Sequence, residues 1–128
     1  MIKLNNSIFG SEEFSNGEVS YKPVNIDPKT NNIELYFQNN KDIVDLQFAV
    51  EFIRDKEPDS AINLTMLYVP YGRMDRDIKG YVFSLKLFAN IINQLKLDKI
   101  ITLDNHSSGI TDMIKNVETQ NINPYIEK

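Results

Sequence analysis

The chain has 128 residues and a formal net charge of −4, with 41% hydrophobic and 25% charged residues. This composition fits one soluble globular domain spanning residues 1–128. The acidic balance disfavours a nucleic-acid binder, and no apolar run approaches the roughly 18 residues of a membrane span. The chain has no cysteine, and its N-terminus, MIKLNNSIFG, lacks the pattern of a signal peptide, so we expect a cytoplasmic protein without disulfides or thiolate chemistry.

The first part of the chain predicts β-structure followed by a helix. Residues 1–22 alternate short apolar pieces with turn formers, as in a β-hairpin or a small meander. A strand is predicted at residues 33–37, and Asn39-Asn40 can then cap a helix. From residue 43 to residue 53 the apolar side chains cover more than one helix face. We therefore expect this helix to be buried on two sides, against a sheet and against a partner subunit.

The second part of the chain predicts a strand, loop, helix, strand unit. Residues 62–69 form an apolar run typical of a buried parallel strand, and residues 82–97 have apolar side chains at helical spacing. A second buried strand is predicted at residues 97–103, a short helix from Ser107 or Ser108, and a last strand near Val117. The pattern predicts an α/β fold with a three-layer arrangement, a parallel sheet flanked by helices, and an N-terminal β-hairpin.

Charged residues follow the first of these apolar strands. Ligands of parallel α/β sheets bind beyond the carboxyl ends of the strands, where the loop with Arg73, Asp75 and Arg76 is expected. Guanidinium groups can bind phosphate oxygens in a bidentate manner, and the intervening carboxylate could orient them or hold a cation. A solvated loop whose charges pair with one another is the alternative.

The next predicted strand ends at Asp104-Asn105-His106. On an extended segment, residues two apart point to the same side, so Asp104 and His106 could face one ligand. Asp104 is the better ligand for Mg²⁺, which prefers oxygen, while His106 suits a phosphate contact or a metal. The alternative is a histidine that caps a helix or is hydrogen-bonded in a loop.

A third candidate is the segment Phe14-Ser15-Asn16-Gly17-Glu18, which on its own is only a turn. The chain has no Walker loop, no Rossmann glycine motif and no nucleophile elbow. From the residues alone, the sequence predicts an α/β domain with a phosphate and metal site, and it does not define a reaction.

Four motifs in order resemble the N-terminal half of the ribose-phosphate pyrophosphokinase (PRPP synthetase) family. FSNGE at residues 14–18 resembles the family's F-[SA]-[ND]-[GQ]-E segment, and PYGRMDR at residues 70–76 resembles its P-Y-A-R-Q-D-[RK] loop. SLKLFAN at residues 84–90 resembles its S-A-K-L-V-A-N helix start. IITLDNHS at residues 100–107 resembles its strand ending in D-L-H-[AS].

The resemblance implies transfer of the β,γ-diphosphate of ATP to ribose 5-phosphate, giving PRPP and AMP, with Mg²⁺ as cofactor and a homo-oligomer as the assembly. Carried over by position, the catalytic residues would be Arg73 and His106, and Asp104 and His106 would bind the metal. The ATP-binding residues would be Phe14, Asn16, Glu18, Arg73, Asp75 and Arg76.

The chain departs from the family pattern in three places. A short hairpin replaces the usual first strand–helix unit, and Met74 stands where the family has Gln. No part of residues 1–128 resembles the family's C-terminal ribose-phosphate domain, so we expect that domain to be absent. Two other functions stay open: a non-catalytic, synthetase-like regulatory or interaction subunit, and a small nucleotide-binding module with unrelated chemistry.

Overall fold

The computed structural model describes residues 1–10, 12–71, 84–102 and 113–119. Its strands are β1 (Ile2–Leu4), β2 (Ser7–Phe9), β3 (Glu12–Glu13), β4 (Val19–Ser20), β5 (Thr30–Leu35), β6 (Ala61–Met66), β7 (Lys99–Thr102) and β8 (Val117–Thr119). Its helices are α1 (Lys41–Lys56) and α2 (Ser84–Gln94). The predicted α/β class, a mostly parallel sheet with flanking helices and an N-terminal antiparallel hairpin, is confirmed.

The chain divides into two compact units, Met1–Thr65 and Met66–Lys128. In the first unit the strand order is β2-β1-β5-β6, and β1 is antiparallel to both β2 and β5. The assignment of residues 1–128 to a single domain stays a prediction.

The predicted N-terminal hairpin is formed by β1 and β2. Leu4 pairs with Ser7, which leaves Asn5 and Asn6 as a two-residue loop. Both asparagines have positive φ, 48° and 71°, as the type I′ turn of a tight hairpin requires. Asparagine tolerates this left-handed conformation better than most residues, which explains how the hairpin closes without glycine.

Helix α1 covers one face of the first unit's sheet. Along β5 and β6 every second side chain is buried, and α1, which packs against β5 and β1, has a fully buried stripe. The stripe comprises Leu46, Ala49, Val50 and Ile53. On another side of the helix, Val44 and Phe48 are 46% and 51% exposed. The expected second buried face is therefore not formed within the described chain.

The start of α1 differs from the predicted asparagine cap. Asn40 occupies the N-cap position but its side chain makes no capping hydrogen bond. Instead, the Asn39 side chain accepts a hydrogen bond from the Lys41 N–H at 3.0 Å. The Asp42 carboxylate accepts bonds from the N–H groups of Gln38 and Asn39 at 2.7 and 3.2 Å. Side chains before and after the first helical residue, Lys41, therefore bind backbone N–H groups at the start of α1.

Asp42 is buried, although it lies in the first turn of α1, where an exposed carboxylate would already interact favourably with the helix dipole. Burial alone would raise its pKa, but hydrogen bonds from the Met1 ammonium and from the backbone of Gln38 and Asn39 outweigh burial. The pKa of Asp42 is therefore lowered from its ordinary value. The charged carboxylate joins β1 to the start of α1, since the Met1 ammonium also donates to the Tyr36 carbonyl at 2.6 Å.

The second unit contains α2 and the parallel pair β7-β8. Helix α2 confirms the described part of the predicted helix, and its buried residues are Leu85, Phe88, Ala89 and Ile92. The predicted last strand is β8. Asn93 connects the helix end to the segment before this strand, because its side chain donates to the Met113 carbonyl and accepts from the Lys115 N–H. Most of the short helix predicted from Ser107 or Ser108 lies outside the described residues.

Candidate functional site

The predicted site residues fall into two groups. Phe14, Asn16 and Glu18 lie on a small hairpin formed by β3, a loop and β4, which we call the flap (residues 12–20). The remaining five lie outside the described residues: Arg73, Asp75, Arg76, Asp104 and His106. Their predicted roles in ATP binding, catalysis and metal binding stay predictions.

The flap brings its three predicted site residues together at its tip. The Phe14 N–H donates to the Glu18 carbonyl at 2.7 Å, and the Gly17 N–H donates to the Phe14 carbonyl at 2.9 Å. The Asn16 side chain accepts from the Glu18 N–H at 3.0 Å and donates to the Glu18 carboxylate at 2.6 Å. The loop is therefore closed by its own polar groups.

The tip presents its side chains to solvent. Phe14 is 59% exposed, and Asn16 and Glu18 are also exposed. An exposed ring offers a face on which a planar base can stack. A carboxamide beside a carboxylate offers one donor group and several acceptors, which suits the edge of a base that carries an amino group. The tip thus has the chemistry of a surface for a nucleobase.

The base of the flap is organised around Asp45, a residue of α1 that is only 1% exposed. One of its oxygens accepts a hydrogen bond from the Tyr21 hydroxyl at 2.6 Å, and the other accepts from the Lys41 ammonium at 2.7 Å. Lys41 also donates to the Gly10 carbonyl at 3.4 Å. Burial, the hydrogen bond to Asp45 and the charge of that carboxylate together raise the pKa of Tyr21. We call this group the clasp (Gly10, Tyr21, Lys41 and Asp45).

Aromatic rings surround the clasp. The Tyr21 ring lies 4.8 Å from the Phe9 ring and 4.9 Å from the Phe48 ring, measured between centroids. Phe9 also stacks on Phe52 at 5.7 Å. These distances are those of favourable aromatic pairs, so Tyr21 is held by its ring as well as by its hydroxyl group.

Gly10 is required where the clasp closes. Its φ is +81°, and a Cβ added there would lie 2.8 Å from Tyr21 Cε1 and 3.2 Å from the Asp45 carboxylate. Gly17, at the tip, also has positive φ, but a Cβ there would meet nothing within 4 Å. The base of the flap is closely packed, while its tip is open.

Sequence reasoning missed the clasp. Asp45 lies near the start of a helix and the tyrosines are scattered through the sequence, so neither stands out there as a functional residue. Two signals were present: the i,i+4 spacing of Lys41 and Asp45, and the position of Asp45 between the apolar residues Val44 and Leu46. A carboxylate flanked by apolar residues on a helix is a candidate for burial with a partner.

A polar cleft of about 700 Å³ lies elsewhere in the first unit. Its lining includes the amide residues Asn5, Asn6, Asn25 and Asn32. The carboxylate of Asp27 at its rim is engaged by the N–H groups of Lys29 and Thr30, which lower the pKa of Asp27. None of the flap residues lines this cleft, so the described part of the sequence-predicted site is separate from it.

Two further findings concern the described residues only. They contain no group of three or more His, Asp or Glu side chains that could hold a metal ion. In the same ranges, neither helix combines the length and apolar character that a membrane crossing requires.

Comparison with known proteins supports the resemblance seen in the motifs. No family model matches the chain. A protein of Listeria monocytogenes, provisionally named ribose-phosphate pyrophosphokinase 2, is 29% identical over 106 residues, which are 77% of this chain and 33% of that protein. The crystal structure of phosphoribosylpyrophosphate synthetase from Mycobacterium smegmatis matches with a TM-score of 0.74 at 15% identity, over 95% of this chain and 43% of that one.

The fold and the sequence therefore both relate this chain to ribose-phosphate pyrophosphokinases, and the predicted resemblance is confirmed. At 15% identity, the structural match shows the shared fold. The chain spans about a third of the length of the curated relative and less than half of the solved chain. Its similarity is to one part of such a protein.

Proposed function

We propose that this chain is the ATP-side domain of a ribose-phosphate diphosphokinase. In that reaction the anomeric hydroxyl of ribose 5-phosphate attacks the β-phosphorus of ATP. The new bond joins the anomeric oxygen to Pβ while the hydroxyl proton is released to solvent, the bond between the α,β-bridging oxygen and Pβ breaks, and AMP leaves with that oxygen. The observation that carries the proposal is the flap tip, where the FSNGE motif presents Phe14, Asn16 and Glu18 together on the surface.

In the proposed site, the flap binds the adenine. Phe14 stacks on the base, and the Asn16–Glu18 pair faces its amino edge. The existing bond of 2.6 Å between these two side chains supports this role, because it orders the carboxylate before a ligand binds.

The phosphate end of the site is assigned from the motifs. Arg73 contacts the polyphosphate as a bidentate cation, and Asp75 and Arg76 shape the nucleotide site around it. Asp104 would supply the hard oxygen ligand that suits Mg²⁺, and His106 would help to hold the metal and the phosphates. Bound Mg²⁺ would neutralise the charge of the polyphosphate. The protein side chains position the chain of phosphates and stabilise charge, which is where catalysis of phosphoryl transfer mainly lies.

The proposal includes a homo-oligomer and a second domain. The exposed side chains Val44 and Phe48 of α1 support a contact with another copy, since both are large, apolar and close to each other on the helix. Ribose 5-phosphate would be bound with a further domain, in keeping with the partial coverage of the relatives.

The test is AMP formation from ATP, Mg²⁺ and ribose 5-phosphate, together with calorimetric titration of Mg-ATP. Glu18→Gln is expected to weaken ATP binding, whereas Glu13→Gln, an exposed glutamate on the same hairpin, should leave it unchanged. His106→Ala should weaken binding of Mg-ATP without unfolding the domain.

AMP formation would establish that the chain completes a site, between subunits or alone. ATP binding without product would support an ATP-side domain that needs its other domain. Absence of ATP binding would overturn the proposal and favour the non-catalytic regulatory or interaction subunit.

A further inference from the structure

We propose that Asp45 is a positioning residue for the nucleotide: it fixes the flap at its base and thereby sets where the flap tip meets the adenine. The inference rests on the proposed function for the identity of the ligand. It adds residues that lie outside the four motifs, because Gly10, Tyr21, Lys41 and Asp45 belong to none of them.

The first argument is connectivity. Gly10 lies just before the flap and Tyr21 just after it, so the two strands of the hairpin leave from these positions. One carboxylate reaches both: Asp45 binds Tyr21 directly at 2.6 Å, and binds Lys41 at 2.7 Å, whose ammonium contacts the Gly10 carbonyl. Asp45, directly and through its partner Lys41 on the same helix, thus holds both ends of the flap.

The second argument is the contrast in packing. Asp45 is almost completely buried and the ring of Tyr21 lies between Phe9 and Phe48, whereas Phe14 at the tip is 59% exposed. A hydrogen bond to a buried carboxylate is stronger and more directional than one in water. The flap is therefore held at its base, and the side chains at its tip remain exposed to a ligand.

The third argument concerns binding energy. A loop that is ordered before the ligand arrives loses less conformational freedom on binding. If the clasp is loosened, the tip keeps every group that touches adenine but must be ordered during binding. Loss of the clasp should then weaken ATP binding by about three- to tenfold, although no clasp residue contacts the nucleotide.

The experiment uses the full chain with Ser15→Trp, which places a reporter at the tip and is the only tryptophan of a chain that otherwise has none. In this background, Tyr21→Phe removes the hydroxyl but retains the ring, and Asp45→Asn retains the shape but removes the charge. Val50→Ala, on the sheet-facing side of the same helix, is the control for loss of stability alone. Fluorescence anisotropy decay reports tip motion, and calorimetry reports the affinity for Mg-ATP.

We expect Tyr21→Phe and Asp45→Asn to increase fast motion of the tip and to weaken ATP binding, while Val50→Ala does neither at a temperature where all variants are folded. Unchanged tip motion in Tyr21→Phe, or equal effects in Val50→Ala, would overturn the inference. Failure of the chain without any substitution to bind ATP would instead refute the proposed function. In that case tip motion alone would decide whether Asp45 anchors the flap.

Discussion

The base and the tip of the flap belong to one short hairpin but are stabilised in different ways. At the tip, Asn16 and Glu18 form hydrogen bonds with each other, and their side chains are exposed to solvent. At the base, Tyr21 and Lys41 both bind the carboxylate of Asp45 on α1. Tyr21 lies 24 residues before Asp45 in the sequence, and Lys41 lies one helical turn before it. Order at the tip is local, and order at the base depends on tertiary structure.

This difference indicates that the tip and the base of the flap have separate roles. Groups that recognise a ligand must be accessible, so they cannot be buried in the core. Their position must nevertheless be defined, and the buried groups at the base can provide that definition. Mutations at the base should therefore affect folding stability strongly, while mutations at the tip should affect stability little and ligand binding more.

The largest expected effect is that of Asp45→Ala. The substitution leaves the Lys41 ammonium and the Tyr21 hydroxyl without their shared acceptor, and a buried polar group without a partner is costly. Because the Lys41 side chain is 32% exposed and can recover some hydration, we expect a loss of about 2–4 kcal/mol in the free energy of unfolding. Urea denaturation measures it. Asp45→Asn should lose less, and equal losses would contradict the role of the charge.

The next effect distinguishes two glycines. Gly10→Ala combines a left-handed backbone, φ +81°, with a Cβ 2.8 Å from Tyr21 Cε1, so we expect a loss of about 2 kcal/mol. Gly17→Ala at the tip has φ +92° but open space, so only the backbone penalty of about 1 kcal/mol is expected. Thermal unfolding of both variants makes the comparison. A Gly17→Ala protein as unstable as Gly10→Ala would show that the base is not packed more closely than the tip.

The secondary-structure elements could be predicted from the sequence better than the side-chain contacts between them. The hairpin at Asn5-Asn6, both helices and the strands around residues 62–66 and 100–102 follow from turn residues and apolar periodicity, which are local signals. The observed ends of the elements differ from the predicted ends by a few residues. The apolar run from residue 62 predicted a strand through Val69, yet β6 ends at Met66, and Leu67 and Tyr68 are about half exposed.

The clasp could not be predicted in the same way. Its central bond joins Tyr21 to Asp45 across 24 positions of sequence, and no local pattern specifies which tyrosine reaches which carboxylate. The start of α1 shows the same limit. The pair Asn39-Asn40 marks the helix start in the sequence, but Asn39 and Asp42 bind the backbone there, and Asp42 also binds the Met1 ammonium, 41 positions away. The tip residues could be predicted as a site from the sequence because they form a contiguous motif, and that role stays a prediction.

Tyr21→Phe should cost about 1 kcal/mol near neutral pH, because one hydrogen bond to a charged acceptor is lost while the ring contacts remain. The pKa of Tyr21 is raised in the folded protein, so the folded state retains the proton after the unfolded chain has lost it above its ordinary pKa of 10.0. Rising pH in that range therefore favours the unfolded state. The stability advantage of the parent over Tyr21→Phe should be complete below about pH 10 and should shrink above it. An advantage that stays constant in urea titrations from about pH 7 to about pH 11 would refute the buried bond.

The smallest effect on stability is expected at the tip. Asn16→Ala removes two exposed hydrogen bonds, at 2.6 and 3.0 Å to Glu18, for which water can substitute, so the free energy of unfolding should change by no more than about 0.5 kcal/mol. Binding of Mg-ATP should nevertheless weaken, since the carboxamide is a proposed contact to the adenine and also orders the Glu18 carboxylate.

Comparing the stability and the ATP affinity of Asn16→Ala with those of Tyr21→Phe distinguishes the tip from the base of the flap most clearly. At the tip, affinity should change more than stability, and at the base both should change because the bond that stabilises the fold also positions the flap. If Asn16→Ala lowered stability as much as Tyr21→Phe and left ATP affinity intact, the tip would be a structural turn and the adenine assignment would be wrong.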